Sequence, residues 1–132
     1  MLQQQLRQRD EDIAAKAAEI GDLKERVAEL EKLRQQQDQL LSMKDTELAA
    51  AQRRAQRFAE LRRQAFISQQ QLDDQTEVVD RTAAALTAAE AQVAASDAAI
   101  AAARNQIRGS ASAVEAARAE ADRIRTDIED SL

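Results

Sequence analysis

Cysteine, histidine, proline, tryptophan and tyrosine are absent from this sequence, and its 132 residues include only two glycines and two phenylalanines. Without cysteine there is no disulfide framework and no thiolate zinc site. Without histidine or cysteine the common nucleophile–base arrangements are unavailable, and no glycine-rich phosphate loop is present. No cofactor and no enzymatic activity are expected. Aromatic and β-branched residues, which sheets favour, are scarce, and so are the glycines and prolines that loops favour. No apolar run approaches the roughly 18 residues of a membrane span. The N-terminal MLQQQLRQRDED lacks the apolar segment of a secretory signal. The formal net charge is −5, from 19 basic and 24 acidic side chains. That balance gives no reason to expect nucleic acid or an anionic membrane surface as a partner.

What remains is dominated by Ala, Glu, Gln, Arg and Leu, all strong helix formers. Their order follows a seven-residue repeat. With Leu6 at position a, the a series runs through Ile13, Ile20, Val27, Arg34, Leu41, Leu48, Ala55 and Arg62. The d series is Leu2, Arg9, Lys16, Leu23, Leu30, Gln37, Lys44, Ala51 and Phe58. Where Arg34 and Lys44 interrupt the apolar seam, their stems can cover it while their charged heads reach water. A second, cleaner repeat starts at Leu72. Its a series is Leu72, Val79, Leu86, Val93, Ile100, Ile107, Val114, Ala121 and Ile128. Its d series is mostly small, with Ala89, Ser96, Ala103, Ser110 and Ala117 at its centre. Small d residues admit a close neighbour, and a strict seven-residue period implies left-handed supercoiling. Each arm shows mainly one apolar stripe. Gly21 falls at b and Gly109 at c, outside the seam, where both are expected to be exposed and tolerated.

Only RRQAFISQQQ, residues 62–71, separates the two repeats. Ser68 followed three residues later by Gln71 is a capping box, and Phe66 and Ile67 before it can staple against Leu72. A helix start so close to mid-chain predicts an all-α fold, a long antiparallel two-helix coiled-coil hairpin. Its arm 1 covers about 2–63, its tip 64–67 and its arm 2 about 68–131. At 1.5 Å per residue, each arm of roughly 62 residues measures about 93 Å along its axis.

The tip is the informative surface. Arg53, Arg54, Arg57, Arg62 and Arg63 crowd the end of arm 1, offset by Glu60, while Asp73, Asp74 and Glu77 open arm 2. Two expectations compete. These charges pair across the hairpin, or the arms present them to a partner. Phe66 and Ile67, apolar at the end of a thin rod, favour the second.

These residues carry a resemblance. Arg57, Leu61 and Ser68, within RFAELRRQAFIS, have the Arg, three residues, Leu, six residues, Ser spacing found at the hairpin tip of the membrane fusion proteins. These are the HlyD-like periplasmic adaptors of tripartite efflux and type I secretion systems. The run Ile67-Ser68-Gln69-Gln70-Gln71-Leu72-Asp73-Asp74-Gln75 is similar to the family's stretch after the tip, and Ala65 stands where the family often has Gly. The run from Ile124 to Leu132 resembles the return toward that family's lipoyl half-domain. The resemblance covers nearly the whole chain. It implies a non-catalytic adaptor hairpin that docks tip-first onto a TolC-like outer-membrane channel, with Arg57, Leu61, Ser68, Arg63, Phe66 and Ile67 as the docking residues. It further implies a periplasmic location, anchoring to the inner membrane and self-association to a hexamer in the full-length protein. An inner-membrane transporter would be contacted through the lipoyl, β-barrel and membrane-proximal parts, which lie outside this stretch. The alternative is a cytoplasmic coiled-coil scaffold or tether.

Overall fold

The computed structural model describes residues 1–132 and contains two helices, α1 (Leu2–Arg63) and α2 (Gln69–Asp130), and no strand. No residue along either helix removes a backbone donor, because proline is absent. Gly21 and Gly109 cost helix propensity only, and a Cβ at either would meet nothing within 4 Å. The exposure expected of both is found. Neither helix is long and apolar enough to cross a membrane.

The helices pack against each other as an antiparallel pair in each of two compact units. One unit comprises residues 32–97 and holds the turn. The other comprises residues 1–31 and 98–132. In the first, Arg34 Nε donates to Asp97 Oδ1 at 2.7 Å, and the Ser96 hydroxyl donates to Gln37 Oε1 at 2.7 Å. In the second, Arg125 pairs with Asp10 at 3.1 Å, and Arg104 pairs with Glu31. The two residue numbers in each of these four pairs average to between 65.5 and 67.5, so both units keep the register of a fold about residue 66.

The heptad frame predicts the buried face. Every a and d residue from Ile20 to Arg62, and from Leu72 to Ile128, is buried or half-buried. Leu30 and Ala51 on α1 face the seam together with Ala89, Val93, Ile100, Ala103, Val114, Ala121 and Ile124 on α2. Ala121 is fully enclosed at 0% exposure, which shows how closely a small seam residue lets the arms approach. The frame loosens at its ends, where Leu2, Arg9, Lys16 and Ser131 are exposed. Arg34 behaves as a cationic seam residue should. Its side chain is mostly covered, and its guanidinium reaches Asp97 across the pair and Asp38 one turn along its own helix. Those hydrogen bonds, Asp97 first and Asp38 second, push its pKa further up, so it stays charged.

The one-stripe description of arm 1 needs correction. Leu33 and Leu40, both at g, and Met43, at c, are exposed. They lie off the seam and form a second, shorter apolar line on α1.

Candidate functional site

The connection between the helices is two backbone devices back to back. At the end of α1 the Phe66 N–H donates to the Leu61 carbonyl at 2.8 Å, and the Ala65 N–H donates to the Arg62 carbonyl at 3.0 Å. This crossed pair is the Schellman termination. It needs a left-handed residue at the position of Ala65, and Ala65 supplies it with φ 62°. Glycine is the usual occupant because it has no Cβ to clash. The turn therefore forms without a glycine. The helix end is also favoured by Arg62 and Arg63 in its last turn, whose charges oppose the negative end of the helix dipole.

At the start of α2 the capping box is complete. The Gln71 N–H donates to Ser68 Oγ at 3.1 Å, and the Ser68 N–H donates to Gln71 Oε1 at 2.9 Å. The Ser68 hydroxyl also lies 3.3 Å from Gln71 Oε1. Ile67 and Leu72 are both half-buried, at the two positions a hydrophobic staple joins. Phe66 takes no part in such a staple, because it is 72% exposed.

The six sequence-predicted site residues all lie in the unit that contains this turn. Arg57, at c, and Leu61, at g, are four residues apart on one face of α1, outside the seam, and both are exposed, Leu61 at 37%. The Leu61 carbonyl is tied into the turn. Arg63 is exposed and held by Glu60 at 2.6 Å; Glu60 also accepts from the Gln64 amide at 3.2 Å. Ile67 is half-buried and Phe66 projects. Ser68 is committed to its cap.

The expected cross-hairpin pairing of tip charges does not occur. Arg53, Arg54, Arg57 and Arg62 make no ion pair, and neither do Asp73, Asp74 and Glu77. Asp73 and Asp74 instead accept from the amides of Gln69 and Gln70, each at 2.9 Å. The reason is heptad position. Arg53, Arg57, Asp73, Asp74 and Glu77 occupy b, c or f, which face away from the opposite arm. The acids also lie beyond the first turn of α2, so the helix dipole does little for them. Arg62 differs: it sits in the seam at a, with Nε buried and unpartnered, as is Oε1 of Gln75 at d.

Comparison with known protein families, with curated proteins and with solved structures finds no match. The tip is thus defined by its own geometry. It offers unpaired guanidinium donors, an exposed aromatic ring and an exposed leucine beside a turn closed by the Schellman pair and the capping box.

Proposed function

We propose that this hairpin is the docking arm of an HlyD-like periplasmic adaptor, meeting a TolC-like outer-membrane channel tip-first in an efflux or secretion pump. The observation that carries the reading is the exposure of Arg57 and Leu61 on one off-seam face next to the turn. Neither side chain is needed to hold the arms together, so the hairpin loses little if they are spent on a partner. Phe66 adds an apolar side chain at the extremity. Ser68 fits the family spacing, and its first duty is the cap. In this reading the protein is non-catalytic. Its inner-membrane anchor, its contact with a transporter and its gathering into a hexamer belong to parts outside this stretch.

The test is substrate export by the full-length adaptor, with melting followed on the same variants. Leu61→Ser and Arg57→Asp should abolish export and leave the thermal midpoint of the hairpin almost unmoved. Val93→Ser should act in reverse order. Val93 is 9% exposed in the seam, and losing its apolar burial costs roughly 1.5–3 kcal/mol. Normal export by both tip variants at normal expression would remove the docking reading. A cytoplasmic scaffold or tether, which uses the same heptads and needs no special tip, would then stand in its place.

A further inference from the structure

Polar side chains in the seam of residues 32–97 are answered one by one. Arg34 has Asp97 and Asp38, Gln37 has Ser96, Lys44 has Glu47 at 3.5 Å, and the Thr82 hydroxyl donates to the Val78 carbonyl at 2.7 Å. Arg62 and Gln75 break the pattern. Arg62 Nε, a donor, and Gln75 Oε1, an acceptor, are both buried without a partner. Counting three heptads toward the turn from the Gln37–Ser96 layer, both at d, sets Gln75 level with Phe58. The next layer, at a, sets Arg62 level with Leu72. Each of these layers matches a polar side chain with a large apolar one, which leaves a hydrogen-bonding group buried and unanswered. No neighbouring acid is free for Arg62. Glu60 is the one acid between residues 48 and 72, and Arg63 and Gln64 already hold it. Asp73 and Asp74 accept from Gln69 and Gln70.

We propose, building on the docking reading of the tip, that Arg62 is a specificity residue of that contact, kept for a carboxylate on the partner protein. A guanidinium is always charged, and its planar fork matches a carboxylate in two parallel hydrogen bonds. Arg53, Arg54, Arg57, Arg62 and Arg63 against Glu60 make the end of arm 1 strongly basic, so an acidic partner surface is the complementary one. Arg62 is half-buried, and its long stem lets the charged head swing outward from the seam. The group that leaves the seam is one the seam never satisfied. The hairpin therefore loses little in giving it up, and the new contact is gained nearly whole. Gln75 keeps Arg62 available, because a neutral amide level with Phe58 offers the guanidinium no charge to pair with. A partner with a cation at the matching point meets like charge and is refused.

Three variants test this, with export measured on the full-length adaptor and melting on this chain. Arg62→Leu removes the guanidinium and completes an apolar layer with Leu72. Gln75→Glu supplies an internal carboxylate that claims Arg62. Gln75→Leu completes the other apolar layer and leaves Arg62 free. All three should raise the thermal midpoint by a few degrees. The gain from Gln75→Glu should be present at neutral pH. It should be lost as pH falls through the folded pKa of the new carboxylate, which Arg62 holds below the ordinary ~4.3. Export should fall about tenfold with Arg62→Leu and with Gln75→Glu, as the loss of one charge-assisted pair implies, and stay normal with Gln75→Leu. A lower midpoint on Arg62→Leu would make Arg62 a support of the fold and overturn the proposal. Loss of export with Gln75→Leu would do the same, by tying export to a loose tip instead of to Arg62. Normal export by Arg62→Leu and Gln75→Glu, where Leu61→Ser and Arg57→Asp abolish it, overturns the role of Arg62 and leaves the docking reading standing. Normal export by every variant removes both.

Discussion

Ala65→Gly separates the hairpin from the one serious rival to it, a single helix running straight through the middle of the chain. In the hairpin, Ala65 holds φ 62°. An L-residue in that left-handed region carries about 1–2 kcal/mol of steric cost, from Cβ crowding the following carbonyl. Glycine removes that cost and gives back about 0.4–1 kcal/mol through the greater freedom of its unfolded chain. The net expectation is a stabilisation of about 1 kcal/mol. At about 2.1 cal/mol/K of unfolding entropy per residue, that is a rise of roughly 3–4 °C in the melting midpoint of a chain of this length. In an uninterrupted helix the same substitution costs about 1 kcal/mol, so the two structures differ in the sign of the effect. The assay is thermal melting followed by circular dichroism at 222 nm, with Ala65→Val as the companion. A β-branched residue resists the left-handed region and should lower the midpoint. A fall on Ala65→Gly would refute the Schellman termination and the turn built on it.

Other measurements probe the remaining layers of the structure. Spin labels at Glu25 and Arg108, both exposed and off the seam, should lie within about 25 Å in one chain, since paired helix axes are 8–10 Å apart; an intramolecular distance above about 40 Å is incompatible with that pairing. Ser68→Ala removes the cap acceptor from the Gln71 amide and should cost about 1 kcal/mol, with Ser68→Gly milder; equal losses from both would argue against a capping role. Replacing Gln37 by Leu and Ser96 by Ala together should hold or raise the midpoint, because a part-buried polar pair exchanged for apolar groups is often neutral or favourable. The same double variant should broaden the Glu25–Arg108 distance distribution, since a polar pair inside a repetitive seam specifies register. A sharp, unchanged distribution would show that register is set elsewhere.

Most of the fold was legible because a long coiled pair repeats one physical rule. The a and d positions from Ile20 to Ile128 turn inward, and the capping box at Ser68 and Gln71 marks the restart. The ends escaped the rule. Arg9 and Lys16 sit on the frame but stay in water, where their charged heads are cheaper to hold. The turn itself was only half readable. A capping box has side-chain letters, whereas a Schellman end is made of backbone bonds and announces itself mainly through glycine, which Ala65 replaces. At the tip, the outward placement of Arg57 and Leu61 followed from the heptad. Applying the same frame to Arg53, Asp73, Asp74 and Glu77 would have removed the expectation that they pair across the hairpin. Leu33, Leu40 and Met43 lie at g and c, off the a and d series, so the heptad of the pair assigns them no partner.

The register about residue 66 has a consequence for how the chain reaches this state. Ser68 and Arg63 are separated by only four linking residues, so the first cross-arm contacts close a short loop at little entropic cost. Every later contact joins residues that the preceding one has already brought near, and assembly proceeds as a zipper from the turn outward. Reversal runs the other way. Backbone amides near Leu6 and Ile128 should exchange with deuterium through fraying, while those beside Phe58 and Leu72 wait for a much larger opening. A partner that clamps the turn would thus hold the point from which the arms re-form.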